Sequence, residues 1–244
     1  MLLSIIIPIY NNFHQLKKCL KSISCQTVFD DINNWSPDTV RNQQMEVIVV
    51  DDGSQVRTYA DGYADLRGKI KFYKIKHAGA SAARNFGFSK SSGNYVFFCD
   101  ADVEFLKKDA LEKMIKILEA NPDKAYCYCG FRYGFKNMPS FSFDVKKLKE
   151  NNYISTMSLI RQEKFIGFDE SLKRFQDWDL WLSMLEHGDV GFYIPEILFK
   201  VNSGGKMSSW LPSFFYKLPV LSSTKQVKEF EKAKEMVKKK HNLG

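Results

Sequence analysis

The sequence predicts an α/β fold in which helices flank a mostly parallel sheet. Three observations carry the prediction. Val47–Val50 and Tyr95–Cys99 are short runs that are apolar on both faces, the pattern of central strands in a covered sheet. Both runs end in acids, Asp51-Asp52 after the first and Asp100-Ala101-Asp102 after the second. Helical stripes of apolar residues separate the strands, so strand and helix alternate as in a doubly wound sheet.

The elements follow in order. Leu2–Ile9 is a β-branched run, with Pro8 near its end, where a missing N–H is tolerated. Asn11 or Asn12 can cap a helix whose stripe is Phe13, Leu16, Leu20 and Ile23. Residues 28–44 are polar and read as a long loop, of the kind that is functional or disordered. After Val47–Val50, Gly53 permits a tight turn and Ser54 can cap a helix. Ile70–Ile75 alternates apolar residues with lysine, as a third strand. His77-Ala78-Gly79 reads as a turn before a short helix, Ala80–Ser91, that carries Arg84 and Asn85. Lys107–Ala120 is amphipathic through Leu111, Met114, Ile115 and Leu118, and Asn121-Pro122 stops it. The layout is Rossmann-like. Neither G-x-G-x-x-G nor G-x-x-x-x-G-K-[ST] is present, which counts against a dinucleotide fingerprint and a Walker loop.

Residues 123–208 are less regular. Tyr126–Tyr133 reads as a strand, Phe135–Phe143 as a loop and Tyr153–Ile160 as a further strand. Asp177–Glu186 is a helix with Trp178, Trp181, Leu182 and Leu185 on one face. Gln176-Asp177 falls at its first turn, where a carboxylate gains about 0.3–1 kcal/mol from the helix dipole. The tail, 209–244, is amphipathic. It sets Trp210, Leu211, Phe214, Phe215, Leu218, Val220 and Leu221 before the lysine-rich Lys225–Lys240. Such a tail can rest on an anionic membrane surface, pack on the domain or make a dimer contact, and all three readings stand open.

The totals fit a globular protein with a real core, at 44% hydrophobic and 26% charged over 244 residues. No apolar run approaches the roughly 20 residues that span a bilayer. The apolar start, Met1–Ile7, lacks a basic region before it and a cleavage site after it, so it does not read as a signal peptide. Five cysteines, without zinc-like spacing, fit reduced thiols in a cytoplasm. A net charge of +8 suits anionic partners such as nucleotide phosphates or lipid headgroups. Nucleic acid is not expected, because the lysines are spread out and no recognised module is present.

Chemistry enters at the acids. Asp100 and Asp102 leave a buried strand where open α/β sheets bind ligands, and two carboxylates make a hard oxygen site for Mn²⁺ or Mg²⁺. Taken alone, Asp-x-Asp also reads as a solvated turn or a helix cap. The company it keeps decides. Ile5-Ile6-Ile7-Pro8-Ile9-Tyr10-Asn11, Val49-Val50-Asp51-Asp52-Gly53-Ser54, Ala82-Ala83-Arg84-Asn85-x-Gly87, Asp100-Ala101-Asp102, Gly167-Phe168-Asp169-Glu170 and Gln176-Asp177-Trp178-Asp179-Leu180-Trp181 occur in one order. That order resembles the family 2 glycosyltransferases of the GT-A fold, from residue 5 to about residue 210.

The resemblance implies an inverting transfer of a sugar from a nucleotide diphosphate sugar, most often a UDP-sugar, to a glycan or lipid-linked glycan. It implies a GT-A domain over 1–208, with a nucleotide-sugar half at 1–122 and an acceptor half at 123–208. Pro8 and Tyr10 would border the nucleoside and Asp52 would read the base. Arg84 and Asn85 would lie along the nucleotide. Asp100 would face the ribose or the metal, Asp102 would coordinate Mn²⁺ or Mg²⁺, and Asp177 would be the base. A cytoplasmic enzyme, peripheral to the inner face of the membrane through its tail, is the matching location. Residues 28–44 exceed the short loop of relatives, and Asn202 stands where relatives often place a metal-binding histidine. Two rivals remain. A nucleotidyltransferase would want a glycine-rich N-terminal loop, which Pro8-Ile9-Tyr10-Asn11-Asn12 is not. A lapsed transferase serving as a binding module is opposed by the retained Asp102 and Asp177.

Overall fold

Strand β1 (Leu3–Ile9) lies between two parallel neighbours, β2 (Met45–Asp51) and β4 (Tyr95–Phe98), and β3 (Ile70–Lys74) extends the parallel set beyond β2. The computed structural model describes residues 3–27, 45–55, 70–202 and 225–243. The loop expected at 28–44 and the apolar stretch of the tail therefore lie outside the described residues. Alternation along the strands feeds two cores. Ile5, Ile7, Val49 and Phe97 pack with Leu16 of α1 (Phe13–Ser24) and with Leu111 and Met114 of α3 (Ala110–Ala120). Ile6, Ile48, Val50, Val96 and Phe98 face the other way, toward Ala83 of α2 (Ala80–Ser89). Gly87 lets α2 approach β1, since a Cβ there would stand 2.4 Å from Ile6 Cγ2. Pro8 is tolerated for a positional reason. Ile6 O accepts from Cys99 N and Ile9 O from Asp52 N, so the imide of Pro8 faces the β4 side just past the end of that ladder.

The second half completes the same sheet with mixed pairing. β8 (Leu159–Arg161) runs antiparallel to β4 and to β6 (Tyr126–Tyr133), and β9 (Gly191–Val201) runs parallel to β6. β5 (Val103–Phe105) closes the edge against β9, so the order is β3-β2-β1-β4-β8-β6-β9-β5. Three expectations change here. The strand expected over 153–160 shortens to β8, and the loop expected over 135–143 contains β7 (Lys136–Met138), a hairpin partner of β6. Neither asparagine caps α1. The Asn12 amide is engaged with Gln15, while Asn11, at φ 52, accepts from Gln55 N.

Helices α4 (Val145–Glu150) and α5 (Gln176–Glu186) cover the second core. Trp178 and Trp181 are fully buried, and each indole N–H is satisfied: Trp178 Nε1 donates to Leu148 O of α4 at 2.6 Å and Trp181 Nε1 to Ile154 O, between α4 and β8, at 3.0 Å. Both are core residues rather than sugar platforms. In the irregular segment from 151 to 158 the carbonyls of Tyr153, Ile154 and Ser155 accept from the side chains of Ser140, Trp181 and Ser158 in place of a strand ladder. Helix α6 (Lys225–Lys240) packs on this half, with Val237 fully buried in the same core as Trp178. No helix among the described residues is long and apolar enough to cross a membrane.

Candidate active site

Parallel β1, β2 and β4 end at one edge of the sheet, and the expected site residues collect there. Asp52, buried, follows β2. Its Oδ1 accepts from Ala78 N at 2.7 Å and its Oδ2 from Gly79 N at 2.9 Å, so one carboxylate shapes the turn into α2. His77 Nδ1 lies 3.0 Å from Asp52 O and 2.9 Å from Asp52 Oδ2, two acceptors, which places the ring proton on Nδ1. The His77 ring stacks on Tyr10 at 4.4 Å between centroids. Gly53 permits this approach: at φ +78 a side chain is strained, and a Cβ would stand 2.8 Å from His77 N. Asp51 turns back, accepting from Ser54 N at 2.8 Å and lying 3.6 Å from Lys74 Nζ, while Ser54 Oγ accepts from Asn11 N. Tyr10, Asp52 and His77 thus form one half-open corner.

Asp100 and Asp102 occupy the end of β4, in the turn into β5. Arg84, buried on α2, donates through Nη2 to Asp100 Oδ1 at 2.6 Å, leaving the Asp100 side chain 37% exposed. Asp102 is buried, and its carboxyl is pushed up to about 7, first by burial and then by the charge of Asp100, with Arg84 pulling the other way. Asn202, at the end of β9, donates to Asp102 O through its backbone N (2.9 Å) and its Nδ2 (3.1 Å), and Nδ2 also donates to Glu104 Oε1 at 2.6 Å. Asn202 therefore ties the acid turn to β9 with its nitrogens. Among the described residues no group of three or more His, Cys, Asp or Glu is gathered for a metal. Two carboxylates, one half-buried and one buried, are the hard oxygen donors a divalent cation prefers, and they would hold one only together with further oxygen ligands.

Arg84 joins this turn to the second half. Its Nη1 donates to Gln176 Oε1 at 3.4 Å, and its charge also acts on Asp177. The Asp177 carboxyl is raised above the ordinary range by burial, against hydrogen bonds from Trp178 N and the Asn152 side chain. Arg84 Nε is buried without a hydrogen-bond partner, a cation with one donor still to satisfy. Asn85 points elsewhere: it donates to Phe168 O (2.9 Å) and Glu170 Oε1 (2.8 Å) and accepts from Phe168 N (2.8 Å). Its amide clamps the Gly167–Glu170 loop, whose Phe168 ring lies 5.4 Å from the Arg84 guanidinium. Asp179 is buried on another side of α5 and bound there by Lys240 and His241.

The sequence pattern gives His77 only a place in a turn, and it gives no role to Gln176 Oε1 or to Asn152. The one available signal for His77 was its place two residues before Gly79, since Gly79 starts α2 at φ 99 and puts the preceding turn beside the end of β2.

Solved structures share this arrangement of strands and helices. Residues 1–349 of TarS from S. aureus, in complex with UDP-GlcNAc, match with a TM-score of 0.67 at 19% identity, over 89% of this chain and 64% of that one. The mannosyltransferase PcManGT of Pyrobaculum calidifontis, in complex with GDP-Man and Mn²⁺, matches with a TM-score of 0.62 at 16% identity, over 85% of this chain and 59% of that one. The fold is the GT-A fold of glycosyltransferases. The chain belongs to glycosyl transferase family 2, whose sequence model matches residues 4–171. An uncharacterised glycosyltransferase of Rickettsia typhi is 30% identical over 82% of this chain, and the glycosyltransferase GlyA of Streptococcus pneumoniae is 26% identical over 94% of it. The chain spans 63% of the first relative's length and 40% of the second's.

Proposed function

We propose that this chain is an inverting glycosyltransferase that moves a sugar from a nucleotide diphosphate sugar, a UDP-sugar first among them, to a hydroxyl of a glycan or lipid-linked glycan. One observation carries the reading. Arg84 reaches both the acid turn after β4 and the first turn of α5, and it keeps a buried Nε unpaired. An anionic group placed between those elements would satisfy that donor, and Asp177 would then stand across the cleft from Asp102.

In this reading Pro8 and Tyr10 border the nucleoside, with the His77 ring backing Tyr10. Asp52 reads the base with the lone pairs left after Ala78 and Gly79. Arg84 steers the diphosphate, and Asn85 acts one step back by holding the Phe168 loop. Asp102 and Asp100 would hold Mn²⁺ or Mg²⁺, which when bound supplies neutralisation of the charge that grows on the diphosphate. Asp177 takes the proton of the acceptor hydroxyl as the acceptor oxygen bonds to the anomeric carbon. The bond from that carbon to the diphosphate breaks, and the nucleoside diphosphate leaves with the electron pair. A single displacement from the opposite face inverts the carbon, so one base suffices and the carboxylate pair of a glycoside hydrolase is not needed. Its raised proton affinity suits Asp177 to that task.

The test is a screen of UDP-, GDP- and dTDP-sugars by thermal shift, followed by nucleotide release with Mn²⁺ for wild type and Asp102→Ala. Release by wild type and loss of both release and metal-dependent nucleotide binding in the variant support the reading. Normal turnover by Asp102→Ala with Mn²⁺ would overturn the metal assignment, and a wild type that binds donors without releasing nucleotide favours a binding module.

A further inference from the structure

Two acids of the late motifs, Asp169 and Asp179, have no part in the reaction above, and both are taken by the same distant segment. Lys240 Nζ lies 2.7 Å from Asp169 Oδ2 and 2.8 Å from Asp179 Oδ1. His241, whose side chain is 2% exposed, sets Nε2 2.9 Å from Asp179 Oδ1 and Nδ1 2.8 Å from Glu186 Oε1. Asp179 is itself buried, and among the described residues its carboxylate is met by Lys240 Nζ and the His241 ring, from the end of α6 and the turn after it. Earlier along α6, the Phe230 ring packs edge-on against Phe175 at 4.9 Å, and Lys234 Nζ reaches Asn151 Oδ1 at 3.2 Å.

These contacts bracket Asp177. Phe175 stands two residues before it in the left-handed region, at φ 59, which a bulky L-residue adopts only when its surroundings hold it there. The surroundings are Trp178, at 5.8 Å between ring centroids, and Phe230 of α6. Two residues after Asp177, Asp179 is fixed by Lys240 and His241, and its backbone N donates to Phe175 O at 2.9 Å. Helix α6 thus holds a side chain on each side of Asp177, the Phe175 ring before it and the Asp179 carboxylate after it. Through Asp169 it also grips the loop that Asn85 clamps from the other side.

We propose that α6 and the turn after it are the positioning element for the base, with His241 and Phe230 as positioning residues that fix the direction in which Asp177 points. The inference rests on Asp177 being the base. Burial alone would explain Val237. It does not explain why Lys240 and His241, at the end of α6 and just after it, close on Asp179, two residues after Asp177.

The experiment compares wild type, His241→Ala, His241→Gln and Phe230→Leu, each tested below its own unfolding temperature. Hydrogen exchange is read on peptides covering 167–181, with UDP affinity, kcat and donor KM measured alongside. The expected result for His241→Ala and Phe230→Leu is exchange at 167–181 faster by about tenfold, with β1, β2 and β4 unchanged. With it, kcat falls by about 10- to 100-fold while UDP affinity and donor KM hold, because the misplaced group acts only in the transition state. His241→Gln, which keeps a donor toward Asp179, recovers most of kcat. Unchanged exchange at 167–181 overturns the latch. Faster exchange with unchanged kcat makes α6 a structural brace and overturns the positioning role. Exchange needs no turnover, so it judges the latch independently. Full activity in Asp177→Asn would instead remove the base assignment, a separate result.

Discussion

The ends of β2 and β4 carry the same residue type and treat it in opposite ways. After β2, the protein itself satisfies both acids: Asp51 holds Ser54 N and faces Lys74, and Asp52 holds Ala78 N, Gly79 N and His77. After β4, Asp100 has Arg84 but remains open to solvent, and Asp102 is buried and repelled by Asp100 until its carboxyl rises to about 7. The first pair builds the shape of its turn, and any base contact proposed for Asp52 would use only the lone pairs that shape leaves over. The second is a concentration of negative charge that the protein leaves under-compensated, which is the condition for taking up a cation. The same split recurs two residues apart on α5, where Asp179 is paired and Asp177 is left with a raised proton affinity. An acid's identity therefore says little. What closes around it decides whether it serves structure or chemistry.

Four comparisons test that contrast. The largest effect belongs to α5. Asp177→Asn keeps size and is expected to lower kcat by about 10²–10⁴-fold with UDP affinity near wild type. Asp179→Asn, matched with it in unfolding and transfer assays, is expected to destabilise α6 docking. An inactive Asp179→Asn beside an active Asp177→Asn would reverse the assignment.

At the end of β2, Asp52→Ala removes a satisfied acid and is expected to weaken UDP binding by about 10- to 150-fold, the worth of one hydrogen bond to a charged group. It also frees Ala78 N and Gly79 N, so unfolding should show a loss of about 2 kcal/mol. Calorimetry and thermal unfolding on one sample would check both, and a variant as stable as wild type would break the contrast between the two strand ends.

At the end of β4 the readout is pH. The carboxyl of Asp102 rises from an ordinary value near ~4 to about 7. Stability from holding that proton is full below about pH 4 and is lost as pH climbs through about 7. In metal-free buffer, Asp102→Asn should gain on wild type by about 1–3 kcal/mol across that range, because it has no carboxyl to ionise. Mn²⁺ affinity of wild type should rise by up to about tenfold per pH unit and level off near 7. A flat affinity between pH 5 and 8 would mean that Asp102 is not the ligand.

The smallest effect is at Asp169, whose carboxyl is lowered to about 2 by Lys240 and then by Ser171. A depressed carboxyl stabilises the fold above the unfolded value near ~4, and that contribution is lost as pH falls to about 2. Lys240→Met should flatten this part of the acid unfolding curve by about 1 kcal/mol. An unchanged curve would show that the ion pair adds nothing.

The strands and helices of the first half were legible in the sequence. β1, β2 and β4 are β-branched or aromatic runs buried on both faces, α1 and α3 carry clear apolar stripes, and strands of this kind announce themselves over a few residues because each side chain is in a core. The sequence also located the acids, since carboxylates leaving a buried strand have nowhere to go but its end. Longer-range facts were not legible. β9 has no clean pattern because Pro195 and Glu196 interrupt it, and the fold absorbs them where the β6–β9 register shifts between Cys129 and Phe131. β5, three residues long, forms only because β9 is there to pair with it. Tertiary structure alone decided which acids are satisfied, because the donors arrive from far along the chain: His77 for Asp52, Arg84 for Asp100, His241 for Asp179. A local pattern records what a residue would bury, and it carries no record of which distant N–H will meet a carboxylate once the sheet has closed.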